Sequence, residues 1–533
     1  MMIVWVIQPS RVGRLRQAVG PLVGATALQQ RRTDGADYSA SVTKCVIALD
    51  AGTTGVRSRA VFTDDTPTVA SYREFTQHYP QPGWVEHDVN EIWDAAVATL
   101  NGVIEQVGCE SVAAIGITNQ RETVVAWNRS TGRPYGTAIV WQDRRTANRC
   151  DELAAAGHLD LVRERTGLVL DPYFSGTKFE WLLRERDIPV DDDLALGTID
   201  AWLIWNLTGG EVFATDVTNA SRTMLCDIRT RTWDPDLCAM LSVPMSALPE
   251  IVPSSGRIGV TSEHCGVSGD IPVSGVAGDQ QAALFGQACT EPGMAKNTYG
   301  TGSFVLLNVG EICPPPTEGM LTTVAWTLAD GTTHYALEGA IFVTGAAIQW
   351  LRDGLSIIDD AAETGPLAES VDDTGGVYFV PALAGLGSPW WDPYARGTIV
   401  GITRGTGRAQ ITRATVESMA FQTRDVVDAM VAASGTVLKE LRVDGGASIM
   451  DFLCQIQADQ LGVDVLRPGD QETTALGAAF LAGLAEGVWA SPEDVRAQWS
   501  LDASFSPSED RAEADAQHAQ WLRAVERSRS WVQ

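Results

Sequence analysis

Two periods of apolar spacing alternate along this chain and sort it into strands and helices. Lys44-Cys-Val-Ile-Ala-Leu-Asp50 is an unbroken apolar run that ends on an acid, as a buried strand does. A tight turn follows, Ala51-Gly-Thr-Thr-Gly-Val-Arg57, and strand character resumes over 58–62, which predicts a β-hairpin with a Gly-Thr-Thr-Gly tip. A second hairpin of the same kind is predicted in Lys296-Asn-Thr-Tyr-Gly-Thr-Gly-Ser-Phe-Val-Leu-Leu307, with its tip at Gly300-Thr-Gly-Ser303. Between them, Ile92, Ala96, Leu100, Val103 and Val107 recur at helical spacing behind a cap at Asp88 or Asn90. A strand over 111–117 runs out into the polar cluster Thr118-Asn-Gln-Arg-Glu-Thr123. The stretch 200–207 reads as an apolar helix, 215–224 as a polar loop entering a strand, and 249–259 is rich in Pro, Ser and Gly.

The second half repeats these themes. A strand over 336–342 leads into a helix over 344–355, and 375–389 reads as a strand and a glycine loop. The span 409–434 is a long amphipathic helix carrying Ile411, Val416, Met419, Val426 and Met430. Glu440-Leu-Arg-Val-Asp-Gly-Gly-Ala447 is a strand ending at a glycine pair, Thr473 opens another helix, and from Ser506 the chain is acidic and then helical. At the middle lies Val273-Ser-Gly-Val-Ala-Gly-Asp-Gln-Gln-Ala-Ala-Leu-Phe-Gly286, where an apolar run ends on Gly278, Asp279 follows at once, and a helical pattern begins. Strand, small residue, acid, helix is how an open α/β sheet delivers a functional group to the cleft at its strand ends. Two Gly-Thr hairpins, one per half, suggest a duplicated domain that offers both tips to one nucleotide.

Composition narrows the class. The chain has 533 residues, 45% hydrophobic and 20% charged, ordinary values for a globular protein with ample core. A net charge of -28 argues against a nucleic-acid partner, whose phosphates need a basic surface. Nine scattered cysteines form no Cys-x-x-Cys, and six scattered histidines have no ligand spacing. Both point to reduced thiols in a cytoplasmic protein without a zinc site. No apolar run approaches the roughly 18 residues of a membrane span. Residues 1–41 read as a disordered extension or a mis-called start, with translation beginning near Val42.

The candidate chemistry follows from the strand ends. Asp279 there can accept a proton from a substrate hydroxyl or help hold a metal, and it can equally serve as a helix cap. Glycines and threonine hydroxyls at the first tip can cradle phosphate oxygens, as an ordinary hairpin turn also would carry them, and Asp50 can hold Mg²⁺ through water. No Gly-x-x-x-x-Gly-Lys-Ser/Thr occurs, which excludes a P-loop protein. Arg121 beside Glu122 offers donors and an acceptor suited to a polyol, or a surface ion pair. Trp141 and Tyr173 are pocket walls or core aromatics.

The order of these features is more specific than any one of them, and it resembles that of the two-lobed ATPases: sugar kinases, actin and Hsp70-type chaperones. From about residue 45 to 530 the chain resembles the FGGY carbohydrate kinases, and among them the members that act on glycerol. The segments carrying the resemblance are Pro82-Gly-Trp-Val-Glu-His-Asp88, Gly116-Ile-Thr-Asn-Gln-Arg-Glu-Thr123, Asp171-Pro-Tyr-Phe-Ser-Gly-Thr-Lys178, Ala220-Ser-Arg-Thr-Met-Leu225, Gly278-Asp-Gln-Gln-Ala-Ala-Leu-Phe-Gly286 and Lys296-Asn-Thr-Tyr-Gly-Thr-Gly302. The resemblance implies an α/β fold of two duplicated RNase H-like lobes around a central cleft. An N-terminal lobe over 42–286 would bind polyol and phosphate, and a C-terminal lobe over 287–530 would bind nucleotide. Glycerol would lie against Arg121, Glu122, Tyr173, Asp279 and Gln280, with Trp141 and Phe304 walling its carbon face, and Asp279 as general base. Thr53, Thr54, Gly55 and Arg57, then Thr301, Gly345, Gln349, Gly446 and Met450, would line the ATP or ADP site, with Mg²⁺ near Asp50 and Asp279. A homodimer or homotetramer is implied as well.

Three positions depart from the family pattern. Met450 stands where an Asn is usual near the adenine, and a thioether cannot replace an amide hydrogen bond. In Gly266-Val-Ser-Gly-Asp270-Ile-Pro, an acid replaces the Arg with which some members bind fructose-1,6-bisphosphate, so no inhibition by that ligand is expected. Ala51 replaces a Gln, a mild change where backbone N–H groups make most phosphate contacts. Competing readings are an FGGY kinase for another small polyol, such as erythritol or dihydroxyacetone, and a non-enzymatic actin- or Hsp70-like ATPase module.

Overall fold

The computed structural model describes residues 43–64 and 66–532; the expectation for residues 1–41 lies outside them. Two mixed sheets carry the architecture, and their cores share one strand order. In the first, Cys45–Ala51, Gly55–Phe62 and Val69–Glu74 form an antiparallel meander. Val112–Asn119 and then Pro272–Gly278 add in parallel on the far side of Cys45–Ala51. In the second, Met294–Tyr299, Ser303–Gly310 and Thr333–Ile341 make the meander, and Glu440–Gly445 and Asp464–Pro468 add in parallel. This is the duplicated α/β lobe that the paired Gly-Thr hairpins suggested.

Each lobe has a long helix between its meander and its first added strand. In the first lobe this is Val89–Val107, whose N-cap Asp88 accepts the Asn90 N–H at 2.9 Å. Ile92, Ala96, Leu100 and Val103 are fully buried, and Val107 sits half-buried at the rim. Full burial of a large apolar side chain contributes roughly 1.5–3 kcal/mol, against about 1 kcal/mol for a cap, so packing rather than capping holds this helix. In the second lobe it is Arg408–Ser434, with Val416, Met419, Val426 and Met430 inside.

A helix also follows the last parallel strand of each lobe: Asp279–Gly286 in the first, Thr473–Ala485 in the second. These two pack on one another so closely that only glycine fits at the crossing. A Cβ on Gly477 would stand 1.8 Å from the Ala282 carbonyl oxygen, and one on Gly286 1.9 Å from that of Thr473. Helix Thr473–Ala485 is also buried against the first sheet, its Ala478, Ala479 and Ala482 clustering with Val46, Ala48, Ala114 and Ala277. The seam between the lobes is therefore a packed core, with small residues where the helices cross.

A four-stranded sheet outside the two cores, ordered Glu86–His87, Ala138–Ile139, Val124–Asn128, Leu194–Thr198, leads from the polar cluster 118–123 towards Trp141. Helix Ser175–Glu185 packs on it and follows Tyr173 directly.

Two expectations are corrected, and one stretch described only by its composition gains a strand. The polar stretch 215–224 contains a helical turn, Val217–Ala220, because Asp216 accepts the N–H groups of Thr218 and Asn219 as a cap, and the strand beyond it is only Cys226–Asp227. Part of the Pro/Ser/Gly-rich stretch is strand, Ser255–Val260, which edges the first sheet, where such residues are tolerated. The helix expected over 344–355 is α-helical only over Gly345–Gln349 and widens to a π-helical segment over Trp350–Gly354. All nine cysteines are unpaired. Among the described residues no helix is long and apolar enough to cross a membrane.

Candidate active site

The parallel strands Val112–Asn119 and Pro272–Gly278 end side by side, and the residues just past them meet. Asp279 is the first residue of its helix and Gly278 is the N-cap, so Asp279 is not spent on capping. Its Oδ1 accepts only from its neighbour, the Gln280 N–H at 2.7 Å, and lies 3.2 Å from Arg121 Nε. A third of the side chain stays exposed (34%). Behind it, the Gly278 N–H donates to Thr218 Oγ1 at 2.9 Å, which fixes the strand end.

Arg121 is the hub. Its Nη1 donates to Glu338 Oε2 at 2.6 Å and to Gln281 Oε1 at 3.1 Å, and its Nη2 donates to the Tyr173 hydroxyl at 3.2 Å. Glu122 Oε1 accepts from Arg222 Nε at 2.7 Å, and Arg222 Nη2 donates to Glu338 Oε1 at 2.9 Å. Arg121, Glu122, Arg222 and Glu338 are each no more than 2% exposed, so the surface-pair reading of Arg121 and Glu122 falls. Two buried cations and two buried carboxylates balance in charge, as buried ions must. Glu122 has φ +59, a left-handed conformation uncommon for a non-glycine residue and typical of functional sites that store strain.

Electrostatics separate the carboxylates. Burial raises the Asp279 carboxyl above its ordinary range, opposed by Arg121 and Lys296. Burial, and then the charge of Asp279, push Asp50 to about 7. Burial would also raise Glu338, but Arg121 and Arg222 outweigh it and hold the group at about 2. Asp279 is thus a raised, partly exposed carboxyl and Glu338 a carboxylate that stays ionised at neutral pH.

Gln280, Trp141 and Phe304 are the other residues expected to line the site. Lys296 Nζ donates to Gln280 Oε1 at 2.5 Å and to Thr298 Oγ1 at 2.9 Å. Trp141 meets Tyr173 edge-on with ring centroids 5.7 Å apart, and its indole N–H donates to Thr53 Oγ1 at 3.1 Å. Phe304 is half-buried on strand Ser303–Gly310 against the interlobe cluster.

The nucleotide candidates lie on two surfaces. At the first tip the Gly52 N–H closes on the Gly55 carbonyl at 3.0 Å, leaving Thr54 exposed. At the second, the Gly300 and Thr301 carbonyls accept the N–H groups of Gly345, Thr344 and Ala346 at 3.0–3.1 Å, which docks the tip on helix Gly345–Gln349. Gln349 and Gly446 are exposed. Met450 is half-buried, packs on the second lobe's core and forms no side-chain cap bond for helix Asp451–Leu461. Arg57, expected near the phosphates, is engaged by Glu472 and lies over the Tyr72 ring.

Asp50 and Asp279 suit a magnesium ion on their own chemistry: a hard cation takes one or two carboxylates, keeps waters and relieves mutual repulsion of the kind that raises Asp50. Among the described residues no group of three or more His, Cys, Asp or Glu is placed to hold a metal by itself.

Sequence reasoning missed Glu338, Arg222 and Lys296. Each had left a signal. Glu338 is an acid inside the apolar run Ala336-Leu-Glu-Gly-Ala-Ile-Phe342, Arg222 lies within Ala220-Ser-Arg-Thr-Met-Leu225, and Lys296 is one of only four lysines.

Comparison with known proteins bears on the whole chain. The N-terminal domain profile of the FGGY family of carbohydrate kinases matches residues 45–286, and its C-terminal domain profile matches 295–486. Glycerol kinase 2 of Thermotoga maritima is 54% identical over 497 residues, covering 92% of this chain and 99% of the relative. Glycerol kinase of Symbiobacterium thermophilum is 55% identical over 494 residues, covering 91% and 99%. Plasmodium falciparum glycerol kinase, solved with ADP, superposes with a TM-score of 0.88 at 37% identity, covering 92% of this chain and 99% of that one. A xylulose kinase from Lactobacillus acidophilus, 21% identical, superposes with a TM-score of 0.80 over 90% of this chain and 97% of its own, a likeness of fold alone.

Proposed function

The chain belongs to the FGGY family of carbohydrate kinases, and on that footing we propose that it transfers the γ-phosphate of ATP to a primary hydroxyl of glycerol. The observation that carries this reading is the environment of Asp279: a raised carboxylate at a strand end, one-third exposed, 3.2 Å from the guanidinium hub that also holds Tyr173. The glycerol kinases that align over nearly their full length support the choice of acceptor.

In this reading the polyol hydroxyls lie against Arg121, Glu122, Tyr173 and Gln280, with Trp141 and Phe304 on the carbon face. Asp279 accepts the proton of the attacking hydroxyl as its oxygen bonds to the γ-phosphorus. The bond from phosphorus to the bridging oxygen of ADP breaks in line. Asp50 and Asp279 would hold the Mg²⁺, whose role when bound is to neutralise charge on the phosphoryl group. Lys296 fixes Gln280 and adds positive charge beside the base. Thr53, Thr54 and Gly55 from the first lobe and Thr301, Gly345, Gln349, Gly446 and Met450 from the second would line the nucleotide.

A coupled ADP-release assay with Mg·ATP and a panel of glycerol, dihydroxyacetone, erythritol and xylulose tests the acceptor. Preference for glycerol upholds the reading. Turnover of another polyol with glycerol inert would keep the fold and the base and overturn the pocket assignment at Arg121, Glu122 and Trp141.

A further inference from the structure

Behind the first tip runs a closed ring of hydrogen bonds that begins and ends on Trp141. The Trp141 backbone N–H donates to Thr123 Oγ1 at 3.2 Å, and that hydroxyl donates to Gln120 Oε1 at 2.8 Å. Gln120 Nε2 donates to the Gly52 carbonyl at 3.0 Å and lies 3.3 Å from His87 Nδ1. His87 Nε2 is 2.7 Å from Gln77 Oε1, and Gln77 Nε2 donates to the Thr53 carbonyl at 2.8 Å. The Trp141 indole N–H on Thr53 Oγ1 closes the ring.

Donor and acceptor roles in this ring admit one assignment. Gln77 spends its N–H on a carbonyl, so its oxygen must accept from His87 Nε2–H. Gln120 has its oxygen taken by Thr123, so its second N–H points at an unprotonated His87 Nδ1. His87 is therefore neutral, in keeping with its complete burial.

The consequence falls on the tip. A peptide unit is planar, with its C=O and the next N–H pointing in opposite directions. Tying back the Gly52 and Thr53 carbonyls turns the N–H groups of Thr53 and Thr54 to the other face. Carbonyl dipoles are withdrawn from that face and donors are presented on it.

We propose that His87, through Gln77 and Gln120, is the positioning residue that sets this tip to receive the phosphates of the nucleotide. The inference rests on the proposed reading of the tip as a phosphate cradle. It goes beyond that reading in assigning the cradle's geometry to a buried neutral histidine that touches no substrate.

The test uses the full-length protein and measures dissociation constants for ADP and for adenosine, which lacks phosphates. His87→Phe keeps the ring shape and deletes both bonds. It is expected to weaken ADP about tenfold or more, as losing paired buried hydrogen bonds does, while adenosine binding and the KM for glycerol hold within about twofold. His87→Gln, which can still donate and accept, is expected to recover most of the loss. Gln77→Leu, at a half-buried site, gives the same readout should His87→Phe fail to fold. Thr54→Asp, an exposed change, tests the cradle itself by repelling phosphate. If Thr54→Asp weakens ADP but His87→Phe and Gln77→Leu do not, the positioning role is overturned. If Thr54→Asp leaves ADP binding intact, the cradle reading fails, and the inference with it.

Discussion

Arg121 and Glu338 meet at 2.6 Å although 217 residues separate them, one just past a strand end of the first sheet and the other within a meander strand of the second. The ion pair is buried and bridges the two lobes, so it fixes both the Arg121 guanidinium and the seam.

Replacing Glu338 with Gln should therefore take from two buried guanidinium groups the carboxylate they share, leaving the cluster with a net positive charge. Breaking a buried pair by removing one partner costs about 3–5 kcal/mol, so Glu338→Gln is expected to lower the urea midpoint strongly and to raise the KM for glycerol. The sign with pH follows from the depressed carboxyl at about 2. Its stabilisation is complete above the ordinary value of 4.5 and fades as pH falls from there towards about 2. The gap between wild type and Glu338→Gln should hold constant from pH 7 to 5 and narrow only below about 4.5. A gap that narrows on going from pH 7 to 5 would contradict this.

Gly477 sets helix propensity against packing. In an exposed helix, Gly→Ala would stabilise by roughly 1 kcal/mol. At the crossing, the new methyl would stand 1.8 Å from the Ala282 carbonyl oxygen, a backbone atom with nowhere to go. Overpacking of this kind costs about 1–3 kcal/mol or more, so Gly477→Ala should unfold at lower urea than wild type. An unchanged or higher midpoint would mean that the helices separate readily.

Lys296 is fully buried and donates to Gln280, next to Asp279, the proposed base, and to Thr298. Loss of one preorganised donor beside developing charge typically lowers kcat by about 10²–10³-fold. Lys296→Met is expected to lose about a hundredfold in kcat with a smaller change in ATP affinity. A variant whose kcat stays within threefold of wild type would remove Lys296 from the chemistry.

Asp270 lies exposed on its loop and carries a charge that repels a bisphosphate. Millimolar fructose-1,6-bisphosphate should leave the initial rate unchanged. A saturable fall in rate would locate a binding mode independent of that loop.

Much of this molecule is legible in its sequence because its signals are local. The paired Gly-Thr hairpins disclosed the duplication, since a strand–turn–strand pattern is complete within a dozen residues. Asp279 and Arg121 were visible because they stand where apolar runs stop. Glu338 and Arg222 were not assigned roles because their partners lie 100 or more residues away, and only folding reveals that an acid inside a strand answers two distant arginines. The partner of Arg57 was hidden for a similar reason: its position beside a phosphate-type tip gave no hint of Glu472, 415 residues on. The helical turn at Val217–Ala220 escaped because its cap, Asp216, is equally at home in a polar loop.

Whether Asp279 takes the proton from the acceptor hydroxyl is decided by single-turnover phosphoryl transfer by Asp279→Asn, with glycerol binding measured alongside. The expected loss is about 10²–10⁴-fold in the chemical step, the usual contribution of a positioned general base, with glycerol still bound. A variant that binds glycerol and transfers phosphate within tenfold of the wild-type rate would contradict this role for Asp279.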